Sequence, residues 1–197
     1  MSSFRDHQPK RRPNRAECEK YTSYRKTLRA DFQKRCGYCN DFDRMRIFAI
    51  DHFLPQKPLG CTHTIAPNYY YNLVYACMHC NLAKSNKWPT NDPTLSNDGL
   101  VGFIDPELPA YADLFERNDF GEIIPRDGNE LGKYIIQELK LWLPIHAKTW
   151  QFERLRYYEE KLNSLPEHQK TQAVKERLAS IATGISTLIY DLFPEED

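Results

Sequence analysis

The chain has 197 residues, of which 41% are hydrophobic and 13% aromatic, enough apolar mass for a packed core and too much for a disordered segment. No run approaches the roughly 18 to 20 consecutive apolar residues of a membrane-spanning helix, and Met1 to Arg15 is basic and polar without an apolar signal core, so a cytoplasmic protein is expected. The net charge of zero hides a division. Residues 1–90 hold 16 Lys and Arg against 7 Asp and Glu, which suits a polyanion such as nucleic acid; residues 91–197 hold 11 against 20, which suits the fold itself or a protein partner.

In chain order, basic and aromatic residues alternate from Arg5 to Arg35, and from Arg15 the spacing predicts an amphipathic helix with one face free to follow DNA. Two C-x-x-C pairs come next, Cys36 and Cys39 in C-G-Y-C and Cys77 and Cys80 in C-M-H-C. Such pairs let four sulfurs of two tight knuckles meet one tetrahedral ion, so a structural four-thiolate zinc site is expected, with Cys18 and Cys61 outside it. The 37 residues between the pairs exceed ordinary zinc-ribbon spacing. There Arg46 to Asp51 predicts a short strand ending at Asp51-His52, Gln56 to Asn68 an irregular loop, and Tyr69 to Ala76 a second strand. Cys80 to Lys87 has helical character and stops near Trp88-Pro89, which completes a ββα unit.

Asp92 to Asp127 is rich in Pro, Gly, Asn and Asp, which predicts an irregular extension with one small hairpin from the short apolar runs at Val101–Ile104 and Glu122–Ile124. From Asn129 the pattern is helical: Leu131, Ile135, Leu139 and Trp142 share a face until Pro144, and helical spacing continues over Trp150–Asn163 and Glu167–Phe193. Trp150, Leu155, Tyr158 and Leu162 read as core or the seam of a helical hairpin, with a partner groove as the alternative. The expected class is α+β, divided into a basic N-terminal helical segment (1–31), a zinc-stapled core (32–93), an irregular extension (94–128) and a helical region (129–193).

C-G-Y-C, I-D-H-F-L-P, Y-N-L-V-Y-A-C-M-H-C-N-L-A-K and K-W-P, in that order, resemble the HNH endonuclease family and its ββα-metal fold, over roughly residues 32 to 90. The resemblance implies that His52 is the general base, Asn72 a brace for the loop, Asn81 a metal ligand in an H-N-N variant, and Asp51 the carboxylate metal ligand. The nine-residue step from Asn72 to Asn81, with Lys84 beyond it, is also similar to the HNH domain of RNA-guided CRISPR nucleases. In outline the chain resembles small bacterial HNH proteins that act beside an ATPase in anti-phage defence, which would give the acidic helical region a partner to dock.

The chemistry of the side chains agrees with those roles. Phosphodiester hydrolysis needs an activated water and a neutraliser of charge on the phosphate, and the oxygens of Asp51 and Asn81 suit Mg²⁺ or Mn²⁺ as thiolates suit zinc. A neutral His52 can take the proton of the water. Lys84 and Lys87 read either as phosphate contacts or as solvated helix charges, Asn72 also as a turn former and Asn81 also as a helix cap. His79 reads as a surface residue, and His7, His63, His146 and His168 as structural or solvated. A non-catalytic zinc-dependent module that binds nucleic acid or protein is the alternative; a descendant of that kind would be free to lose Asp51, His52 or Asn81, and this chain keeps all three.

Overall fold

The computed structural model describes residues 2–193. The chain enters through strand β1 (Ser2–Ser3), runs without regular structure to a 3₁₀ turn at Tyr21–Tyr24, and forms helix α1 (Arg25–Asp31). The helix expected from Arg15 therefore starts ten residues later. The local reason is that the Tyr24 hydroxyl accepts the Cys18 backbone N–H at 2.7 Å, folding residues 18–24 back on themselves and denying them a helical ladder. Leu28 and Phe32 are buried, while Arg29 reaches out to Asp43 and Asp31 is gripped by Arg12 and the Tyr70 hydroxyl.

Strands β2 (Phe48–His52) and β3 (Leu73–Cys77) pair antiparallel, with Phe48 opposite Cys77 and His52 opposite Leu73. Every residue of β3 is buried, because knuckle Cys36–Cys39 and α1 cover it. The Gly37 N–H donates to Tyr75 O at 2.9 Å, and a Cβ at Gly37 would stand 2.8 Å from both Phe32 Cε1 and Val74 Cγ1, so no larger residue lets the knuckle close on the strand. Tyr70–Asn72, expected as the start of the second strand, forms a 3₁₀ turn instead. Helix α2 (Met78–Lys84) follows β3 without a loop and ends where Ser85 takes φ 49°.

Helix α3 (Pro109–Asp113) opens a second small sheet, in which β4 (Phe115–Arg117) pairs with both β1 and β5 (Ile123–Pro125). The small hairpin expected in the extension is β4–β5, whereas Val101–Ile104 contributes only an isolated bridge at Gly102. Helix α4 (Glu130–Glu138) starts under an Asn129 cap whose Oδ1 accepts from Gly132 N at 2.9 Å. It packs on β5 and belongs with all the preceding elements to a first unit that ends at Leu143. A second unit begins at Pro144, which opens helix α5 (Pro144–Asn163) rather than merely interrupting one. Its partner in the unit is α6 (Gln172–Leu192), capped by Thr171. The two form a hairpin in which Leu155 approaches Gly184 and Ile181, Ile185 and Leu188 are buried. The class is α+β, with a ββα core, a four-cysteine cluster and a helical C-terminal region. No helix among the described residues is long and apolar enough to cross a membrane.

Part of the basic excess of the first ninety residues lies inside the fold. Arg11 is buried against Asp105 and Glu107 of the acidic extension and donates from Nε to Leu73 O at 2.8 Å. Arg5 is buried between the faces of Phe4 and Tyr111 and donates to Gly37 O and Pro106 O. The acidic half thus supplies counter-charges that hold the N-terminal arm across the core.

Candidate active site

The Sγ atoms of Cys36, Cys39, Cys77 and Cys80 all lie within 4.8 Å of one another, and Cys39 Sγ is 3.7 Å from Cys77 Sγ. A tetrahedral ion with bonds of about 2.3 Å to sulfur sets its sulfurs about 3.8 Å apart, whereas a disulfide brings them to about 2.05 Å. The cluster has the dimensions of a zinc site. Burial pushes the Cys39 and Cys80 thiols well up, whereas at Cys36 burial is outweighed by hydrogen bonds from the neighbouring sulfurs, which hold it well down; four buried thiolates this close repel one another and stand together only around a cation. Cys36 and Cys39 come from the loop after α1, Cys77 from the end of β3 and Cys80 from the first turn of α2, so one ion would join loop, strand and helix.

His52 is the last residue of β2. Its Nε2 lies 2.8 Å from Pro67 O, and since a carbonyl oxygen can only accept, Nε2 carries the hydrogen and Nδ1 keeps the lone pair. Tyr21 packs edge-on at 4.9 Å, and the exposed Gln56 brings its amide nitrogen 3.4 Å from Nδ1 and 3.1 Å from Nε2. Burial lowers the imidazole below its ordinary value, against smaller opposing effects of Pro67 and Asp51, which leaves the ring neutral at pH 7.

Asp51 is buried on the neighbouring position of β2. Its Oδ2 accepts from the Tyr38 hydroxyl at 2.6 Å and faces Lys84 Nζ at 3.2 Å. Burial drives the carboxyl up and the Lys84 ammonium down, and their mutual attraction opposes both shifts. Lys84 also donates to His52 O at 2.8 Å and lies over the Phe103 ring, with no exposed side-chain surface. The expectation of a phosphate contact at Lys84 is corrected here: the ammonium faces inward to Asp51 and cannot reach a phosphate at the surface. Lys87 remains partly exposed, bound to Glu138 at 2.8 Å.

Asn72 ends the 3₁₀ turn before β3 and holds the loop after His52 at two points. Its Oδ1 accepts from Leu54 N and its Nδ2 donates to Leu54 O, each at 2.9 Å, while Phe53 N donates to the Asn72 carbonyl at 2.8 Å. Phe53 packs edge-on against Trp88, the residue at which the sequence expects α2 to stop. Asn81 lies half-buried on α2, three residues before Lys84 and therefore on the helix face that meets β2. Its side chain makes no hydrogen bond among the described residues, so its amide oxygen is available.

Asp51, Lys84 and the His52 backbone are thus brought together, with Asn81 one turn along the same helix face and Asn72 bracing the loop behind the imidazole. Sequence reasoning missed three members of this arrangement. Pro67 O and Gln56 carry no signal beyond belonging to the loop, whereas Tyr38 sits inside C-G-Y-C, where a large polar aromatic between two zinc-binding thiols is a visible oddity. No curated protein and no solved structure matches the chain. Residues 36–87, about a quarter of the chain, match the family model for HNH endonuclease.

Proposed function

We propose that the chain is a metal-dependent nuclease that hydrolyses phosphodiester bonds in DNA, with His52 as general base and Asp51 and Asn81 as the oxygen ligands of a Mg²⁺ or Mn²⁺ ion. The observation that carries this reading is the state of His52: its Nε2 lies against Pro67 O at 2.8 Å, which leaves Nδ1 the lone pair of a neutral ring. Nδ1 would take a proton from water as the water oxygen bonds to phosphorus, and the leaving oxygen departs with the electron pair of the broken P–O bond. A hard divalent ion bound here supplies charge neutralisation at the phosphate. Asp51 fits the ligand role because only one of its oxygens is used by the protein, and Asn81 because its amide is uncommitted.

The remaining residues orient and exclude. Pro67 O fixes the tautomer, Tyr21 limits ring rotation, and Asn72 keeps the backbone after His52 from moving away from the phosphate. The exposed Gln56 amide lies at the ring edge, 3.4 Å from Nδ1 and 3.1 Å from Nε2, where a water can replace it. The experiment is incubation of zinc-loaded protein with supercoiled plasmid and with RNA, in Mg²⁺ or Mn²⁺, with EDTA as control. Divalent-dependent nicking of the plasmid is expected; DNA left intact under both ions, or cut equally in EDTA, would overturn the reading.

A further inference from the structure

Tyr38 lies between two thiols of the zinc cluster, yet its hydroxyl leaves the knuckle and donates to Asp51 Oδ2 at 2.6 Å. Lys84 Nζ approaches the same oxygen at 3.2 Å. Both donors are spent on Oδ2, and Oδ1 makes no hydrogen bond among the described residues. A carboxylate held in this way cannot rotate to exchange its oxygens without breaking a buried hydrogen bond and a buried ion pair.

We propose that Tyr38 is a positioning residue for the catalytic ion: it turns Asp51 so that Oδ1 is the oxygen offered to the metal, and it ties that oxygen's place to the zinc knuckle. The inference rests on the reading of Asp51 as a ligand and goes beyond it, since it names the group that sets the ligand's geometry. The knuckle is rigid enough to do this. The Tyr38 ring is fully buried, its carbonyl accepts from the Tyr111 hydroxyl at 2.9 Å, and the preceding Gly37 is pinned to Tyr75 O at 2.9 Å with no room for a Cβ. Zinc-bound sulfurs on either side of Tyr38 would leave the phenol one direction to point. The four-thiolate site would then act on chemistry as well as on folding, through a single hydroxyl.

The test is Mn²⁺ affinity of the zinc-loaded full chain, read from the electron paramagnetic resonance signal of free Mn²⁺, for wild type, Tyr38→Phe, Tyr111→Phe and Asp51→Asn. Tyr38→Phe should keep its zinc and bind Mn²⁺ about tenfold more weakly, the usual consequence of removing an outer-sphere partner of a metal ligand. The Mg²⁺ concentration giving half-maximal cleavage should rise by a similar factor. Tyr111→Phe loses a buried hydrogen bond from the same knuckle without touching Asp51, so it should bind Mn²⁺ as wild type does. Unchanged affinity in Tyr38→Phe, or equal weakening in Tyr38→Phe and Tyr111→Phe, overturns the positioning role. Wild-type affinity in Asp51→Asn, or no binding by wild type, overturns the ligand reading beneath it.

Discussion

Asn72→Ala isolates the brace behind His52, the proposed general base. The substitution removes two hydrogen bonds of 2.9 Å and leaves the backbone N–H and C=O of Leu54, a residue 3% exposed, without their side-chain partner. Each buried group so orphaned costs about 1–3 kcal/mol, and partial entry of water into the vacated space relieves some of it, so a loss of about 3 kcal/mol is expected. For a cooperative unit of this size that corresponds to a fall in Tm of roughly 6–12 °C. The loop after His52 should loosen at the same time, slowing cleavage while the zinc content stays at the wild-type value, because no thiol contact involves Asn72. Thermal unfolding, elemental analysis and cleavage rate on the same preparation separate these effects. A Tm within 1–2 °C of wild type, roughly 0.5 kcal/mol, or loss of zinc, would refute the assignment of Asn72 as a brace of the loop alone.

Cys39→Ser should lose zinc and unfold the nuclease core as a whole, since metal affinity at such a site is folding free energy; well-folded wild-type protein that contains no zinc would contradict this. Lys84→Met strands the Asp51 carboxylate in the core and should cost about 3–5 kcal/mol in urea unfolding. The same variant should leave the salt dependence of DNA binding unchanged, because a fully buried ammonium releases no counterions; a shallower salt slope would return Lys84 to the surface role that its burial denies. Burial holds the His52 imidazole below its ordinary value of 6.5, so protonation should abolish the base only under more acidic conditions, with the acid limb of the pH–rate profile centred below 6.5. A limb centred above 6.5 would mean that the ring is exposed or paired with an anion in the working enzyme.

The ββα core was legible because its signals are local. Cysteine pairs fix two knuckles, apolar and β-branched runs mark strands that start and stop within a few residues of Phe48–His52 and Leu73–Cys77, and Asp51-His52 falls at the strand end. Helix α2 begins at Met78, two residues earlier than expected, because the second knuckle is itself its first turn. Lys84 was misread although its spacing held the answer: Cys77, Cys80 and Lys84 are separated by three and four residues, so the lysine continues the buried stripe of the zinc-binding cysteines. The N-terminal arm was illegible for a different reason. Whether Arg11 meets a phosphate or a carboxylate depends on Asp105 and Glu107, more than ninety residues away, and no local pattern records that pairing. The Tyr38–Asp51 bond is non-local in the same sense, joining a knuckle to a strand across a turn whose course composition does not specify.

Single-turnover cleavage of a labelled DNA duplex by wild type and His52→Ala, at saturating Mg²⁺ and with zinc content matched, bears most directly on whether the His52 imidazole does the chemistry. Loss of the general base should slow the bond-breaking step by about 10²–10⁴-fold while duplex binding is retained. A His52→Ala protein that cuts at the wild-type rate would leave Nδ1 without a role and the nuclease without its base.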